Sequence, residues 1–168
     1  LVNQADYIFV MTQGHKDAKK LNKPTAGHYA KAGVQPGVRL VELRLASVDG
    51  RGWSVVVKSY LDRGSARAVI DADRMTIAAE TPPIGRAHAW LNPAGIADYD
   101  GNGTTDIALV RQPHVVGRLE LWSWKDRKLT KVIEIADVSN HFIGSRALGL
   151  SWTADFDGDG HPDLAVPS

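Results

Sequence analysis

The sequence contains no cysteine among its 168 residues. A disulfide framework, a thiol nucleophile and a cysteine-based zinc site are therefore excluded. No apolar run approaches the roughly 18 residues that a membrane-spanning helix requires. A charged segment followed by an apolar one, which would indicate a signal peptide, is also missing. From the first residue, Leu1, and the apolar stretch at the other end, we expect a piece of a longer protein.

Recognisable catalytic motifs are also missing. The sequence has no G-x-S-x-G elbow for a serine nucleophile. It has no phosphate-binding loop and no dinucleotide fingerprint. We therefore predict a protein that is not an enzyme, with no catalytic residues and no organic cofactor.

The charge is small overall but unevenly placed. The net charge is +1, yet residues 1–84 carry 12 Lys and Arg against 8 Asp and Glu, whereas residues 85–168 carry 8 against 11. The basic residues form no stripe interleaved with aromatics, which a nucleic-acid interface would require. We therefore expect no nucleic-acid partner, and the acidic half is suited to cations.

Short apolar runs rich in β-branched residues dominate the sequence, and Gly, Asp and Pro separate them. This pattern predicts an all-β fold. The predicted strands are 38–47, 53–60, 66–71, 75–80, 95–98, 106–112, 117–124, 129–137, 150–155 and 163–166. Residues 1–37 are polar and marked by Gly and Pro, and they predict an irregular segment.

The strands fall into repeating sets. Asp98 and Asp155 begin two similar stretches that lie 57 residues apart. A period near 50–60 residues with four strands per unit is typical of β-propeller blades, which need neighbours to bury both faces of each sheet. We predict about two and a half four-stranded antiparallel blades, with further blades supplied by the rest of the parent chain. The units are a degenerate blade (38–84), a complete blade (85–142) and a truncated blade (143–168).

Each of the two similar stretches opens with oxygen-bearing side chains on alternate positions. Hard calcium ions bind six to eight oxygen ligands, which such loops supply. Gly103 and Gly160 stand where the loop must turn sharply. The predicted ligands are Asp98, Asp100, Asn102, Asp106 and the carbonyl of Thr104, and in the second loop Asp155, Asp157, Asp159, Asp163 and the carbonyl of His161.

An EF-hand uses the same first ligand positions but requires a glutamate at position 12. Here that position holds Leu109 in the first loop and Val166 in the second. The flanking segments are strand-like rather than helical. The EF-hand is therefore excluded, and so is a dockerin-type loop.

The pattern D-x-D-G-N/D-G-x-x-D, followed by an apolar strand, resembles the calcium loop of FG-GAP/VCBS repeats, the blades of integrin-α-like β-propellers. LNPAGIADYDGNG and VSNHFIGSRALGL resemble a bacterial group of such repeats. The resemblance implies a calcium loop between the first two strands of a blade, and an extracellular, periplasmic or cell-surface location. It also implies a scaffold for an unknown protein or carbohydrate ligand, as in adhesion. A polysaccharide-active propeller enzyme and a purely structural spacer stay open as alternatives.

The calcium is expected to be a structural clip rather than a regulatory or catalytic ion. Its affinity should fall on the order of 10⁻⁴–10⁻³ M, with the second loop the tighter because it has one more carboxylate. The first unit departs from the pattern, since Ser47, Asp49, Arg51 and Val55 stand at the ligand positions. We therefore predict that this unit binds no metal.

Two further groups permit more than one interpretation. Trp122 and Trp124 should share a strand face with Glu120, where core packing is favoured over a ligand platform. His114 and His141 should lie near a blade rim. Hydrogen bonding within their loops is favoured there over a metal or catalytic pair.

Overall fold

The computed structural model describes residues 39–48, 51–60, 62–71, 74 and 76–168. Within these residues every element is a strand and all strand pairs are antiparallel, so the predicted all-β fold is confirmed. None of them forms a helix with the length and apolar character that a membrane crossing requires. The predicted irregular segment 1–37 lies outside the described residues. The strands are β1 (Arg39–Val48), β2 (Arg51–Tyr60), β3 (Gly64–Asp71), β4 (Thr76–Glu80), β5 (Leu91–Ala97), β6 (Thr105–Arg111), β7 (Arg118–Lys125), β8 (Lys128–Ile135), β9 (Trp152–Ala154) and β10 (Asp163–Ala165).

The chain divides into two compact units, Leu1–Ala89 and Trp90–Ser168. In the first unit, β1 to β4 form a four-stranded sheet in sequential order. All of β3 is buried, including its charged residues Arg67 and Asp71. The chain after β4 returns along β3, where the N–H of Ser65 donates to the carbonyl of Ala89 at 2.8 Å.

The second unit repeats this architecture with β5 to β8, again in sequential order. A two-residue turn joins β7 to β8. Asp126 and Arg127 in this turn both have positive φ, 50° and 59°, as a type I′ hairpin requires. Blades of four sequential antiparallel strands are therefore confirmed in both units.

A two-stranded hairpin, β9 and β10, packs on the β5–β8 sheet. Its register repeats that of the larger sheet, because Ala154 pairs with Asp163 as Ala97 pairs with Asp106. The shared core is built from small and aliphatic side chains, which let the two layers approach closely. It contains Ala94, Ala108, Val110, Leu119 and Leu121, against which Tyr99, Val138, Leu164 and Val166 pack.

Strand β5 starts at Leu91, four residues before the predicted strand at 95–98. The sequence pattern missed the earlier start because Pro93 cannot donate a hydrogen bond to a neighbouring strand. The structure accommodates it with a bulge between Pro93 and Gly95. The carbonyl of Pro93 accepts a hydrogen bond from Asn140 Nδ2 at 2.8 Å, so a loop far along the chain is tied to this strand.

Candidate metal centres

The first Asp-rich loop joins the ends of two adjacent strands, β5 and β6, as the repeat pattern predicts. Gly101 and Gly103 have φ values of 69° and 81°, which side chains with a Cβ rarely adopt. These two glycines curl the loop, so that its alternate side chains point inward. The loop is therefore a compact ring of oxygen atoms held between two paired strands.

Backbone N–H groups of this first loop converge on its own side chains. Asp98 accepts from the N–H of Asn102 at 3.1 Å and from that of Gly103 at 2.8 Å. Asn102 Nδ2 donates to Asp100 Oδ2 at 2.7 Å, and Asn102 Oδ1 accepts from the N–H of Thr104 at 2.8 Å. The loop is thus ordered by its own peptide groups before any cation is considered.

Three carboxylates of the first loop come together. One oxygen from each of Asp98, Asp100 and Asp106 lies within 4.8 Å of the others. Negative charges at this separation repel one another unless a cation or protons neutralise them. The spacing is one that a single hard cation bridges with bonds of about 2.3–2.6 Å.

Asp106 is the most unusual member of this cluster. Its side chain is fully buried at the start of β6. Its Oδ2 accepts from the N–H of Tyr99 at 3.2 Å, while Oδ1 is buried and makes no hydrogen bond to any described residue. A buried carboxylate oxygen without a partner costs about 1–3 kcal/mol, more when charged. A cation in the loop would satisfy it.

Burial raises the pKa of Asp106 above its ordinary value of 3.8. The N–H of Tyr99 and the nearby hydroxyl of Ser123 lower this pKa, and the negative charges of Asp100 and Asp98 raise it. Ser123 was not identified from the sequence. It lies on β7 and reaches the loop only because the strand register pairs it with Asp106.

The second Asp-rich loop joins β9 to β10 and repeats the hydrogen bonds of the first. Asp155 accepts from Gly158 N–H at 2.7 Å and from Gly160 N–H at 3.0 Å. The N–H of His161 donates to Asp159 Oδ1 at 2.7 Å, as Thr104 donates to Asn102. Both glycines have positive φ, 82° and 89°.

The carboxylates of Asp155, Asp157 and Asp159 form the second cluster, again within 4.8 Å. Asp163, at the start of β10, is partly buried and accepts from the N–H of Phe156 at 2.9 Å, as Asp106 does from Tyr99. The second loop is the more exposed of the two. The ten predicted ligand residues thus fall into two similar loops, and as calcium ligands they stay predictions.

The first unit has a different connection at the corresponding place. Strands β1 and β2 pair up to Val48 and Arg51, so only two residues connect them, whereas seven connect β5 to β6. Ser47 and Arg51 lie within strands rather than in a ligand loop, and Asp49 lies outside the described residues. The prediction of a metal-free first unit stays a prediction.

Trp122, Glu120 and Trp124 lie on strand β7. Trp124 is buried, and the partly buried Trp122 donates its Nε1 proton to Glu120 Oε2 at 2.9 Å. These residues are part of the sheet packing, which the sequence favoured. For His114 and His141, the sequence favoured hydrogen bonding within their loops over a metal or catalytic pair. The structure brings their rings to a centroid distance of 4.4 Å.

Comparison with known families agrees with the repeat loops. Residues 98–166 match the family described as FG-GAP-like repeat. The recognition of an FG-GAP-like repeat is thereby confirmed for this part of the chain. The matched segment starts at the first ligand of the first loop and includes all of the second loop.

Curated relatives indicate a second similarity. The chain is 46% identical over 61 residues to large ribosomal subunit protein uL3 of Shewanella piezotolerans, covering 36% of this chain and 29% of that protein. It is 50% identical over 52 residues to uL3 of Shewanella sediminis, covering 31% and 24%. The chain spans less than a third of the length of these relatives. No solved structure matches it significantly.

Proposed function

We propose that the second unit is a calcium-stabilised repeat whose Asp loops fasten the β5–β6 and β9–β10 hairpins. The observation that carries this proposal is the buried, unpartnered Oδ1 of Asp106 beside the carboxylates of Asp98 and Asp100. Carboxylate, amide and carbonyl oxygens are the ligands that calcium prefers. When bound, the ion supplies charge neutralisation and cross-links the two ends of each loop.

The proposed calcium is structural rather than catalytic. In each loop, backbone N–H groups donate to the carboxylates, an arrangement that holds oxygens in place for an ion. We accordingly propose that the protein is not an enzyme, with a polysaccharide-active propeller as the rival. Hydrolysis of polysaccharides by the purified chain would support the rival.

We propose that the scaffold presents a surface for a protein or carbohydrate outside the cytoplasm. The end of the β5–β8 sheet away from the Asp loop exposes apolar side chains. Val115 is 71% exposed, Phe142 61% and Ile143 84%. Exposed apolar side chains that lie close together are more typical of interaction sites than of ordinary protein surface. A purely structural spacer would have no use for them.

A calcium titration tests the proposal, by calorimetry and by thermal melting of the complete chain. We expect two sites and a rise in Tm on calcium addition, with both effects lost in the double variant Asp100→Ala/Asp157→Ala. The control is Asp126→Asn/Asp137→Asn, which removes two acidic charges outside both loops at positive-φ positions that asparagine tolerates. If the native chain takes up no calcium, the Asp loops are only turns and the proposal fails.

The ribosomal similarity favours a second candidate function, contact with RNA by another part of the chain. Residues 1–84 carry the basic excess, 12 Lys and Arg against 8 Asp and Glu. Affinity of this kind falls steeply as salt rises, because cations are released from phosphate. Filter binding of ribosomal RNA at low and moderate salt tests it. Salt-sensitive retention would support it, and no retention at low salt would exclude it.

A further inference from the structure

The second unit holds a cluster of nitrogen ligands at the end opposite its Asp loop. Strand β6 separates the two ends, and with seven residues it places them about 20 Å apart. His114 lies in the connection from β6 to β7, and His141 lies in the segment after β8. The N–H of Val138 donates to the carbonyl of Gly117 at 3.0 Å and fastens the two connections together.

His141 is held in a fixed orientation. Its side chain is only 7% exposed, and its Nδ1 lies 2.7 Å from the carbonyl oxygen of Ala147. A carbonyl only accepts, so Nδ1 carries a proton, and in the neutral imidazole the lone pair therefore lies on Nε2. Metal-binding histidines characteristically donate their other ring N–H to a backbone carbonyl in this way.

The backbone around His141 is also fixed. Asn140 is fully buried, accepts from Asn92 Nδ2 at 2.9 Å and donates to the carbonyl of Pro93. The N–H of Leu150 donates to the carbonyl of Asn140 at 3.2 Å and closes the loop. The imidazole of His141 is therefore positioned before any ligand arrives, which lowers the entropic cost of binding.

His114 supplies the second ring. It is exposed, and within the part of the chain that the structure describes neither of its ring nitrogens is hydrogen-bonded. Its loop is tight, because the N–H groups of Val115, Val116 and Gly117 all donate to the carbonyl of Gln112, at 2.9–3.1 Å. The ring is thus accessible to solvent on a well-ordered turn.

The two rings have the separation that a shared metal ion requires. Their centroids are 4.4 Å apart, with the planes inclined by 52°. Two imidazoles on one zinc ion, at about 2.1 Å per bond, place their centroids about 5 Å apart. A small rotation of the exposed His114 side chain covers the difference. Flat stacking would instead bring the planes close to parallel.

From these contacts we propose that His114 and His141 form a binding site for a borderline transition-metal cation such as zinc or nickel. Imidazole nitrogen selects these ions, whereas the oxygen-rich Asp loops select calcium. Two protein ligands leave coordination positions open for water or for a carboxylate from a partner. The site is independent of the calcium proposal, since it shares no residue with either Asp loop.

Trp90 makes the site directly measurable. Its ring centroid lies 5.6 Å from that of His114 and 5.4 Å from that of His141. Nickel bound between the histidines would quench the fluorescence of this tryptophan. A purely structural cluster of three rings would show no such response.

The test titrates the complete chain with nickel, followed by fluorescence, and with zinc, followed by calorimetry. Saturating calcium keeps the Asp loops occupied. We expect saturable binding of one equivalent with quenching, and we expect His114→Gln to weaken it by about tenfold or more. His114 is exposed, so this variant should fold. The matched control is His88→Asn, because His88 is also exposed and has a positive φ of 60° that asparagine tolerates.

A Trp90→Phe variant locates the signal, since it should bind zinc like the native chain while losing the quenching by nickel. The chain has six histidines, so adventitious binding elsewhere would survive the loss of His114. If His114→Gln binds nickel as tightly as the native chain, the proposal is overturned. An absence of saturable binding to the native chain would overturn it equally.

Discussion

The hydroxyl of Tyr99 lies 2.8 Å from the hydroxyl of Thr153, so the first Asp loop is hydrogen-bonded to β9, the strand that leads into the second loop. The pair covers Gly95 in β5. Leu164 of β10 packs on the same core. Order in the first loop and packing of the β9–β10 hairpin therefore depend on each other. This connection gives the two Asp-rich loops a shared structural support.

Gly95→Ala should destabilise the second unit, because an added Cβ would overlap the hydroxyl of Tyr99. It would also lie 2.7 Å from Thr153 Oγ1 and 3.3 Å from Leu164 Cδ1. We expect a loss of about 1–3 kcal/mol in the free energy of unfolding, measured by denaturant titration. Gly149→Ala is the control, since its Cβ would contact nothing within 4 Å. Equal stability of the two variants would contradict this packing around Gly95.

The raised pKa of Asp106 predicts how stability depends on pH without calcium. The folded protein binds a proton at this site more readily than the unfolded chain does. The contribution of Asp106 to stability is therefore fully present below pH 3.8, the ordinary pKa of an aspartate. It is lost as pH rises through the raised pKa of Asp106 in the folded protein. We expect Tm in calcium-free buffer to fall more steeply with pH for the native chain than for Asp106→Asn.

Saturating calcium should remove the steeper fall of Tm with pH in the native chain, because the ion neutralises the ionised Asp106 carboxylate. The native chain should then be the more stable one at neutral pH, since Asp106→Asn loses a ligand. Thermal melts of both proteins from acid to neutral pH, with and without calcium, measure both effects. Parallel Tm profiles in calcium-free buffer would show that Asp106 does not titrate as proposed.

A ligand exchange between the loops tests the role of Asn102, whose place Asp159 takes in the second loop. Asn102→Asp should strengthen calcium binding at the first loop by about tenfold, and Asp159→Asn should weaken the second by a similar factor. Asn102→Asp should also lower Tm without calcium, because Asn102 Nδ2 no longer donates to Asp100. Calorimetry gives the affinities. Unchanged affinities in both variants would exclude these positions as ligands.

Asn140→Ala should destabilise the second unit by about 1–3 kcal/mol, because it leaves the buried Asn92 amide without one of its acceptors and the Pro93 carbonyl without its donor. The same variant should weaken nickel binding, since Asn140 fixes the backbone beside His141. Arg146→Ala, an exposed change in the same loop, is the control. Denaturant titration and nickel quenching report the two effects separately.

Much of the second unit follows from local sequence. Alternating apolar and polar residues predict strands from local sequence alone. A loop with carboxylates two residues apart and glycines between them likewise determines its own conformation. Asp98 and Asp155 receive hydrogen bonds from N–H groups three to five residues later, so nothing distant is needed to order these ligands. The strand at Leu91 escaped prediction because Pro93 is unfavourable in strands, and its distant partner Asn140 compensates for that.

The sequence by itself thus determined the all-β class, the repeat and both carboxylate loops, because these depend on contacts between near neighbours. Only the tertiary structure decided which distant residues meet. It placed Ser123 beside Asp106 through strand register, and Tyr99 beside Thr153 through packing of the hairpin. It also brought Trp90, His114 and His141 into one cluster. Such encounters depend on how sheets and connections pack, and no local pattern in the sequence specifies them.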